Sequence, residues 1–415
     1  MIWHEREKAT VIVGLIIGMF CLLLYYCIIA SKWDCATLRE PDGLPLAHDF
    51  ANVWAASKLA LAGKPALAYD MDRLFEVELQ NIGSCHHYGS GWYYPPTFLL
   101  LVLPLASMPY LLSLFVWLSI TFILYIIVLS RIGKHPIILP LCVLFPGIFE
   151  NFAYGQNTYL SGALMGGGLL LLDRMPFIAG CLFGLLSFKP PLIIISLIAL
   201  GFGRHWKALI GVLASSIILI IISLAVFGIQ VWVEYFKVMS LPMKFLEAGQ
   251  ADWSLTMTFF AAALAAGLSV KSAYLIQGAV MLFVLLGVGW AWQKNISLPL
   301  RGSVLVLGTI LFTPYSFIYE LALLALPLVW LWEEGRTHGR FPGELFLLFC
   351  GWIFPLAIPI FWNRIDIFDG KLQAGPLFIL MLFILALFKA MRTNSHGETI
   401  CTEGTLSRSP SPNRT

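Results

Sequence analysis

Few side chains in this 415-residue sequence can do acid–base or ionic chemistry, since 12% of its residues are charged and 59% hydrophobic. Asp49, preceded by His48, opens the stretch HDFANVWAASKLALAGKPALAYD. Two readings of it are open. At a helix start a carboxylate can cap free backbone N–H groups; ionised and reachable, it can instead take a proton from a hydroxyl as a general base. Lys189 lies deep in the apolar run AGCLFGLLSFKPPLIIISL. An ammonium there is costly and usually faces a cavity or an anion, and the ends of the run are far for one side chain to reach. Pro190 and Pro191 break the helix beside it. Glu320, in TPYSFIYELALLALP next to Tyr319, stands at an apolar boundary, either solvated or working. Gln156 and Asn157, in FAYGQNTYLSG, offer amides that can bond ligand hydroxyls or cap the following span. Tyr94, in GWYYPPTF, fits an aromatic belt or a pocket wall, and Arg364, in WNRIDIFDG, could balance an anionic ligand.

The composition says what must position these residues. A soluble chain carries roughly 25% charged residues, and no core explains a fall to 12% in 415 residues. The fold class is an all-α integral membrane protein. Apolar runs suggest spans near 10–30, 96–108, 110–130, 136–149, 157–172, 176–202, 206–228, 272–292, 302–315, 317–332, 343–362 and 375–391, about 12 crossings, some short and broken by Pro or Gly. The run 10–30 is too long and unbroken for a secretory leader and reads as a retained anchor. His4, Arg6, Lys8, Arg204, Lys207, Lys294, Arg301, Arg336, Arg340, Lys389 and Arg392 then fall on one side, which puts both termini in the cytoplasm. In the same count Arg131, Lys134 and Arg174 fall outside. Residues 1–392 form one polytopic domain, with outer loops 31–95 and 229–271, and 393–415 is a disordered cytoplasmic tail. Within the first loop Phe50, Val53, Trp54 and Leu61 make a stripe at helical spacing, with Asn52 and Lys58 off it. That is the pattern of a helix lying in the outer interface, ended by Gly63–Lys64–Pro65. Pro95 and Pro96 mark a sharp start to the next span.

Several functions are excluded. There is neither a Walker-type loop nor a dinucleotide glycine fingerprint, and a net charge of +3 gives no footprint for nucleic acid. The eight cysteines lack metal-ligand spacing. Cys21, Cys27, Cys142, Cys181 and Cys350 sit in apolar runs, and Cys35 and Cys85 share the first outer loop, where a disulfide can form. No cofactor is evident, and a divalent metal would need Asp49 and Glu320 to meet in space. Two classes remain: an enzyme built on the crowded outer loop, or a lipid or solute transporter using Lys189 in a broken helix. The lack of an internal repeat favours the enzyme.

One set of motifs recurs in a known order: His48-Asp49-Phe50, Gly63 with Tyr69-Asp70, Tyr94-Pro95-Pro96 with Pro104 and Pro109, Gly155-Gln156-Asn157, Ala179-Gly180 with Lys189-Pro190, and Pro314-Tyr315 with Tyr319-Glu320. Over about residues 10–335 the chain resembles the glycosyltransferase family 87 proteins of bacterial membranes. The resemblance implies a C-type glycosyltransferase fold with its site at the outer face of the inner membrane. It also implies a polyprenyl-phosphate-linked sugar donor, often mannose, and a lipid-linked or polysaccharide acceptor. It puts the essential acid in the Asp-Phe motif, on Asp49. The late motif departs from better-studied mannosyltransferases of the family: Pro314-Tyr315-Ser316-Phe317-Ile318-Tyr319-Glu320 has no histidine, and Glu320 stands where another branch has an acid.

The expected chemistry is an inverting transfer of a sugar from polyprenyl phosphate. Asp49 deprotonates the acceptor hydroxyl, Lys189 and Arg364 meet the phosphate, and His48, Tyr94, Gln156, Asn157, Tyr319 and Glu320 line the sugar and acceptor pocket. Membrane lipids surround the whole, and the broken run 176–202 forms the groove for the polyprenyl tail. A non-catalytic subunit of an envelope polysaccharide machine would share the fold without turnover.

Overall fold

The computed structural model describes residues 45–83, 91–294, 296–362 and 373–406, together with 12–13, 16–20 and 22–23 of the first apolar run. Among these residues the regular elements are helical, as a chain without water to satisfy its backbone requires. Among the described residues four helices are long and apolar enough to cross a membrane: Tyr110–Ile132, Trp206–Phe227, Val270–Gln293 and Gly375–Thr393. Their outward faces are apolar, with Phe115, Ile210, Leu275 and Leu286 exposed. Six shorter apolar helices pack between and beside them.

The described part of the first outer loop folds into α1 (His48–Leu61) and α2 (Met71–Ile82), joined by a 3-10 turn over Pro65–Tyr69. Gly63, at φ +74°, ends α1 as expected. α1 does not lie in the interface on one apolar face. Phe50, Val53 and Trp54 are buried, but so are Ala51, Ala55, Ala56 and Ala60 around the helix. Asn52, off the stripe, is 8% exposed, while Leu61, on it, is 56% exposed. The alanines are the reason: small side chains let neighbours close in on the faces that periodicity leaves blank.

The next segment corrects the span count. Pro96–Val102 (α3) and the 3-10 turn Leu103–Ser107 begin beside the site and come back to it, because Trp54 Nε1 donates to the Met108 carbonyl at 3.1 Å. Pro104 and Pro109 shorten the run, which at about 1.5 Å per residue is too short to cross. α4 (Tyr110–Ile132) then runs to the far end, where the Lys134 N–H donates to Glu333 at 2.9 Å. α5 (Ile138–Val143) and α6 (Pro146–Tyr154) return, and α7 (Thr158–Leu171) goes back.

The second correction is at 176–202. This run is two helices, α8 (Pro176–Leu185) with a 3-10 turn to Phe188, and α9 (Pro190–Phe202). α8 runs parallel to α10 (Trp206–Phe227), since Gly180 meets Ala208 and Gly184 meets Val212. A Cβ on Gly180 would come 1.9 Å from the Ala208 carbonyl oxygen, so the two backbones touch through small residues. Parallel helices start at the same end, and the chain between them must turn back, which it does at Lys189. Asp173, before α8, pairs with Arg301 at 2.8 Å, and both Arg301 and His205 lie on Trp292. The two turns bring Arg131, Lys134 and Arg174 to the end that carries Glu333, Arg336 and Arg301.

The chain continues through α11 (Ile229–Val238), α12 (Leu241–Glu247) and α13 (Phe259–Ala265) at the site end, where Tyr235 stands against Tyr69. α14 (Val270–Gln293) and α15 (Leu298–Phe312) follow. A 3-10 turn over Ile318–Leu324 then leads into α16 (Ala325–His338), with α17 (Glu344–Trp362) and α18 (Gly375–Leu406) after it. α18 continues 14 residues past 392 into the expected disordered tail. A helix already formed extends at the cost of one residue per hydrogen bond, so lack of apolar content does not stop it. Arg364, Cys35 and Cys85 lie outside the described residues.

Candidate functional site

Asp49 sits in the first turn of α1, but it is not the cap. Ala47 holds that position in a left-handed conformation (φ 56°), fixed by the Tyr110 hydroxyl, which donates to the carbonyls of Leu46 and Ala47. No side chain caps α1. Asp49 Oδ2 instead accepts from Gln156 Nε2 at 2.9 Å, and His48 Nε2 lies 3.6 Å from Oδ1. The Gln156 Oε1 accepts from the Tyr94 hydroxyl at 3.1 Å and more weakly from the Asn157 N–H at 3.4 Å. With its carbonyl taken by two donors, the amide can turn only its NH2 to Asp49. The carboxylate is thus oriented by Gln156 and, through it, Tyr94, yet its side chain stays 27% exposed. Asp49 therefore makes no capping bond, and Gln156 spends its amide on Tyr94, Asp49 and the Asn157 N–H.

Gln156 reaches Asp49 because the chain reverses at Gly155 (φ +68°), where a Cβ would come 2.7 Å from that of Phe50 and 2.8 Å from that of Ala47. Asn157 occupies the cap position of α7 without capping it; Asn151 Oδ1 accepts from the Thr158 N–H at 2.9 Å instead. Neither side-chain atom of Asn157 completes a hydrogen bond.

The second cluster forms at the turn between α8 and α9. Lys189 pairs with Glu320, each side chain 13% exposed, and its Nζ lies 5.8 Å from the Tyr319 ring centroid. Glu320 is therefore not simply solvated, and Lys189 does not snorkel. Glu320 Oε2 is buried without a hydrogen-bond partner, an open valence inside the site. Tyr154 joins the clusters, with its ring edge-on to both His48 (5.3 Å) and Tyr319 (5.9 Å). Phe98 stacks on Phe188 at 4.8 Å and lies 4.7 Å from Tyr94, which walls the space between. Burial raises the Tyr94 phenol, and the charges of Glu320 and Asp49 push it the same way, so both carboxylates act on its hydroxyl.

Sequence reasoning missed Glu78, Tyr154 and Phe98. Glu78 carried a usable signal: it lies four residues after Leu74, hence on the same face of α2, and both are buried. Burial, helped by Asp49, pushes its carboxyl up to about 8. Among the described residues no group of three or more His, Cys, Asp or Glu could hold a metal ion; Asp49 is engaged by Gln156 and Glu320 by Lys189. Chemically the arrangement offers an oriented, reachable carboxylate and, across an aromatic wall, a buried cation.

The model of glycosyltransferase family 87 matches residues 92–314, more than half of the chain. The match holds Tyr94, Gln156, Asn157 and Lys189, begins after Asp49 and ends before Glu320. No curated protein and no solved structure matches the chain.

Proposed function

The chain belongs to glycosyltransferase family 87 and is a membrane glycosyltransferase; from that premise we propose that it transfers a sugar, mannose by the family's habit, from polyprenyl phosphate with inversion. The acceptor is a glycolipid or polysaccharide at the outer face of the inner membrane. On this reading the fold is of the C-type, the basic end is cytoplasmic and loop 31–95 is catalytic. The observation that carries it is the Tyr94–Gln156–Asp49 chain, which holds a partly open carboxylate in one orientation.

Asp49 takes the proton of the acceptor hydroxyl as its oxygen attacks the anomeric carbon on the face away from the phosphate. The bond from that carbon to the phosphate oxygen breaks, and the lipid phosphate leaves with its electron pair. Lys189 neutralises that charge, with Arg364 as a second cation. Positioning and charge supply most of the rate, since phosphate leaves well. His48, Tyr319, Glu320 and Asn157 contact sugar or acceptor hydroxyls, for which Glu320 Oε2 has an open valence. The depth of the site suits a lipid-borne donor. The helices that turn there, α7 and α9, have 14 and 13 residues. At about 1.5 Å each they reach roughly 20 Å of a hydrocarbon layer near 30 Å thick. With their other ends at the cytoplasmic face, the site lies below the outer headgroups.

The test uses membranes holding the protein or Asp49→Asn, with a short-chain polyprenyl-phosphate mannose and native lipid extract. The wild type is expected to form product of inverted configuration. The variant, inserted to the same level, is expected to lose about 10²–10⁴-fold. Full activity in Asp49→Asn would sink the base role.

A further inference from the structure

Behind Asp49 lies a second carboxyl that the proposed chemistry leaves idle. Leu74 and Glu78 are the buried residues of α2, so the face that this helix turns inward carries an acid. Glu78 is 7% exposed, and its Oε1 is buried with no hydrogen-bond partner. α2 packs on α1 and on the Pro65–Tyr69 turn. The titratable groups on those elements are His48, Asp49 and Lys58 of α1 and Tyr69 of the turn, with Tyr110 beyond the start of α1. Among them Asp49 acts on Glu78 electrostatically, and Glu78 and Asp49 act together on Tyr110. Lys58 is turned to the Trp54 ring, 5.0 Å from its centroid.

A carboxyl so placed is neutral at pH 7. Burial and the charge of Asp49 both favour the protonated form, and they push its pKa up to about 8 from an ordinary 4.5. The folded state thus binds this proton more tightly than the unfolded chain. Stability therefore falls as pH rises from about 4.5 to about 8, and a glutamine of the same shape would carry no such cost. The cost appears only when the proton leaves, so the protonated form is the one the packing of α2 accepts.

We propose that Glu78 is a positioning residue for Asp49, a second carboxyl whose proton keeps α2 docked on the helix that carries the base and whose loss sets the alkaline limit of turnover. This rests on the reading of Asp49 as the base. When Glu78 gives its proton to solvent, two negative carboxylates act on one another across packed helices, and among the described residues no cation acts on Glu78. Relief requires α2 to shift and water to enter, and α1 then loses the register in which Gln156 holds Asp49. Turnover falls while donor binding does not, because Lys189 and Glu320 stand on other elements.

The experiment follows steady-state transfer by the purified full-length protein, with polyprenyl-phosphate mannose, from about pH 6 to 9.5 for the wild type, Glu78→Gln and Asp49→Asn. One group titrating near 8 predicts about a tenfold fall in wild-type kcat between pH 7 and 9, with donor KM unchanged. Glu78→Gln is expected to keep its pH 7 rate across that range and to unfold at a temperature no lower than the wild type. An alkaline fall in Glu78→Gln equal to the wild type's overturns the proposal and leaves Asp49 standing; full transfer by Asp49→Asn overturns the base reading instead. A Glu78→Gln protein too unstable to purify also overturns the proposal. Infrared difference spectra give a readout without turnover. The carbonyl band of a protonated carboxyl should disappear near pH 8 in the wild type, be missing in Glu78→Gln, and titrate lower in Asp49→Asn. A wild type with no such band at neutral pH refutes the idea.

Discussion

Two buried lysine–glutamate pairs stand at opposite ends of this molecule and differ in how completely they are satisfied. At the basic end Lys389 Nζ donates to both oxygens of Glu344 at 2.8 Å and reaches the Gly339 carbonyl at 3.3 Å. Glu344 Oε2 also accepts from the Phe341 N–H at 3.0 Å, and the two side chains are 5% and 0% exposed. At the site end Lys189 meets one oxygen of Glu320, and the other has no partner. The ions and the burial are similar. A saturated pair has nothing left to offer a ligand, and it ties the start of α17 to α18. An unsaturated pair keeps a valence open at the cost of stability, which is tolerable where a ligand completes it.

The comparison breaks most sharply at Lys389. Lys389→Ala strands the Glu344 charge in the packing and should cost about 3–5 kcal/mol, read as a fall in the unfolding midpoint in detergent. Transfer per folded molecule and donor KM should not change. Replacing both partners together, with Met for Lys389 and Gln for Glu344, should recover most of the loss, because no unpaired charge remains. A donor KM that rose in either variant would show that this pair is not merely a clamp.

Lys189→Ala is the counterpart with a smaller expected effect, and on a different quantity. Glu320 is 13% exposed where Glu344 is fully buried, so water can reach it and the unfolding midpoint should move less than for Lys389→Ala. Donor kcat/KM should fall about tenfold to a hundredfold, the worth of a charge-assisted contact of about 1.5–3 kcal/mol, with acceptor KM unchanged. An unaltered donor dependence would remove Lys189 from the phosphate site.

The sequence showed the members of each working contact and hid their pairing. Lys189 was legible because a charge inside an apolar run is conspicuous, and Pro190–Pro191 announced the break beside it. Its pairing with Glu320, 131 residues away, follows from tertiary packing that no local pattern encodes. Asp49 was legible as an acid at a helix start, but Ala47 holds the cap, and Gln156 arrives through the turn at Gly155. Hydropathy found the apolar runs and could not tell a crossing from a return. That takes the Trp54–Met108 bond for 96–108 and the parallel contact of Gly180 with Ala208 for 176–202. α1 misled for a related reason, since alanine reads as neither apolar nor polar and is buried on every side.

The finest test of the difference between the two ends is Tyr94→Phe. The hydroxyl donates to Gln156 Oε1 and so decides which end of that amide faces Asp49. Without it the ring keeps its place against Trp92 and Phe98, and stability should hold. The amide, however, is then held at its carbonyl by the Asn157 N–H alone, at 3.4 Å, and can rotate. The expected loss is that of one neutral hydrogen bond, about 0.5–1.5 kcal/mol, read as a kcat lowered about two- to tenfold at saturating donor, with donor KM unmoved. Lys189→Ala and Tyr94→Phe would then divide the site into a half that holds the phosphate and a half that aims the base. If Tyr94→Phe raised donor KM and left kcat alone, the hydroxyl would belong to the sugar pocket, and the orientation of Asp49 would have to rest on His48.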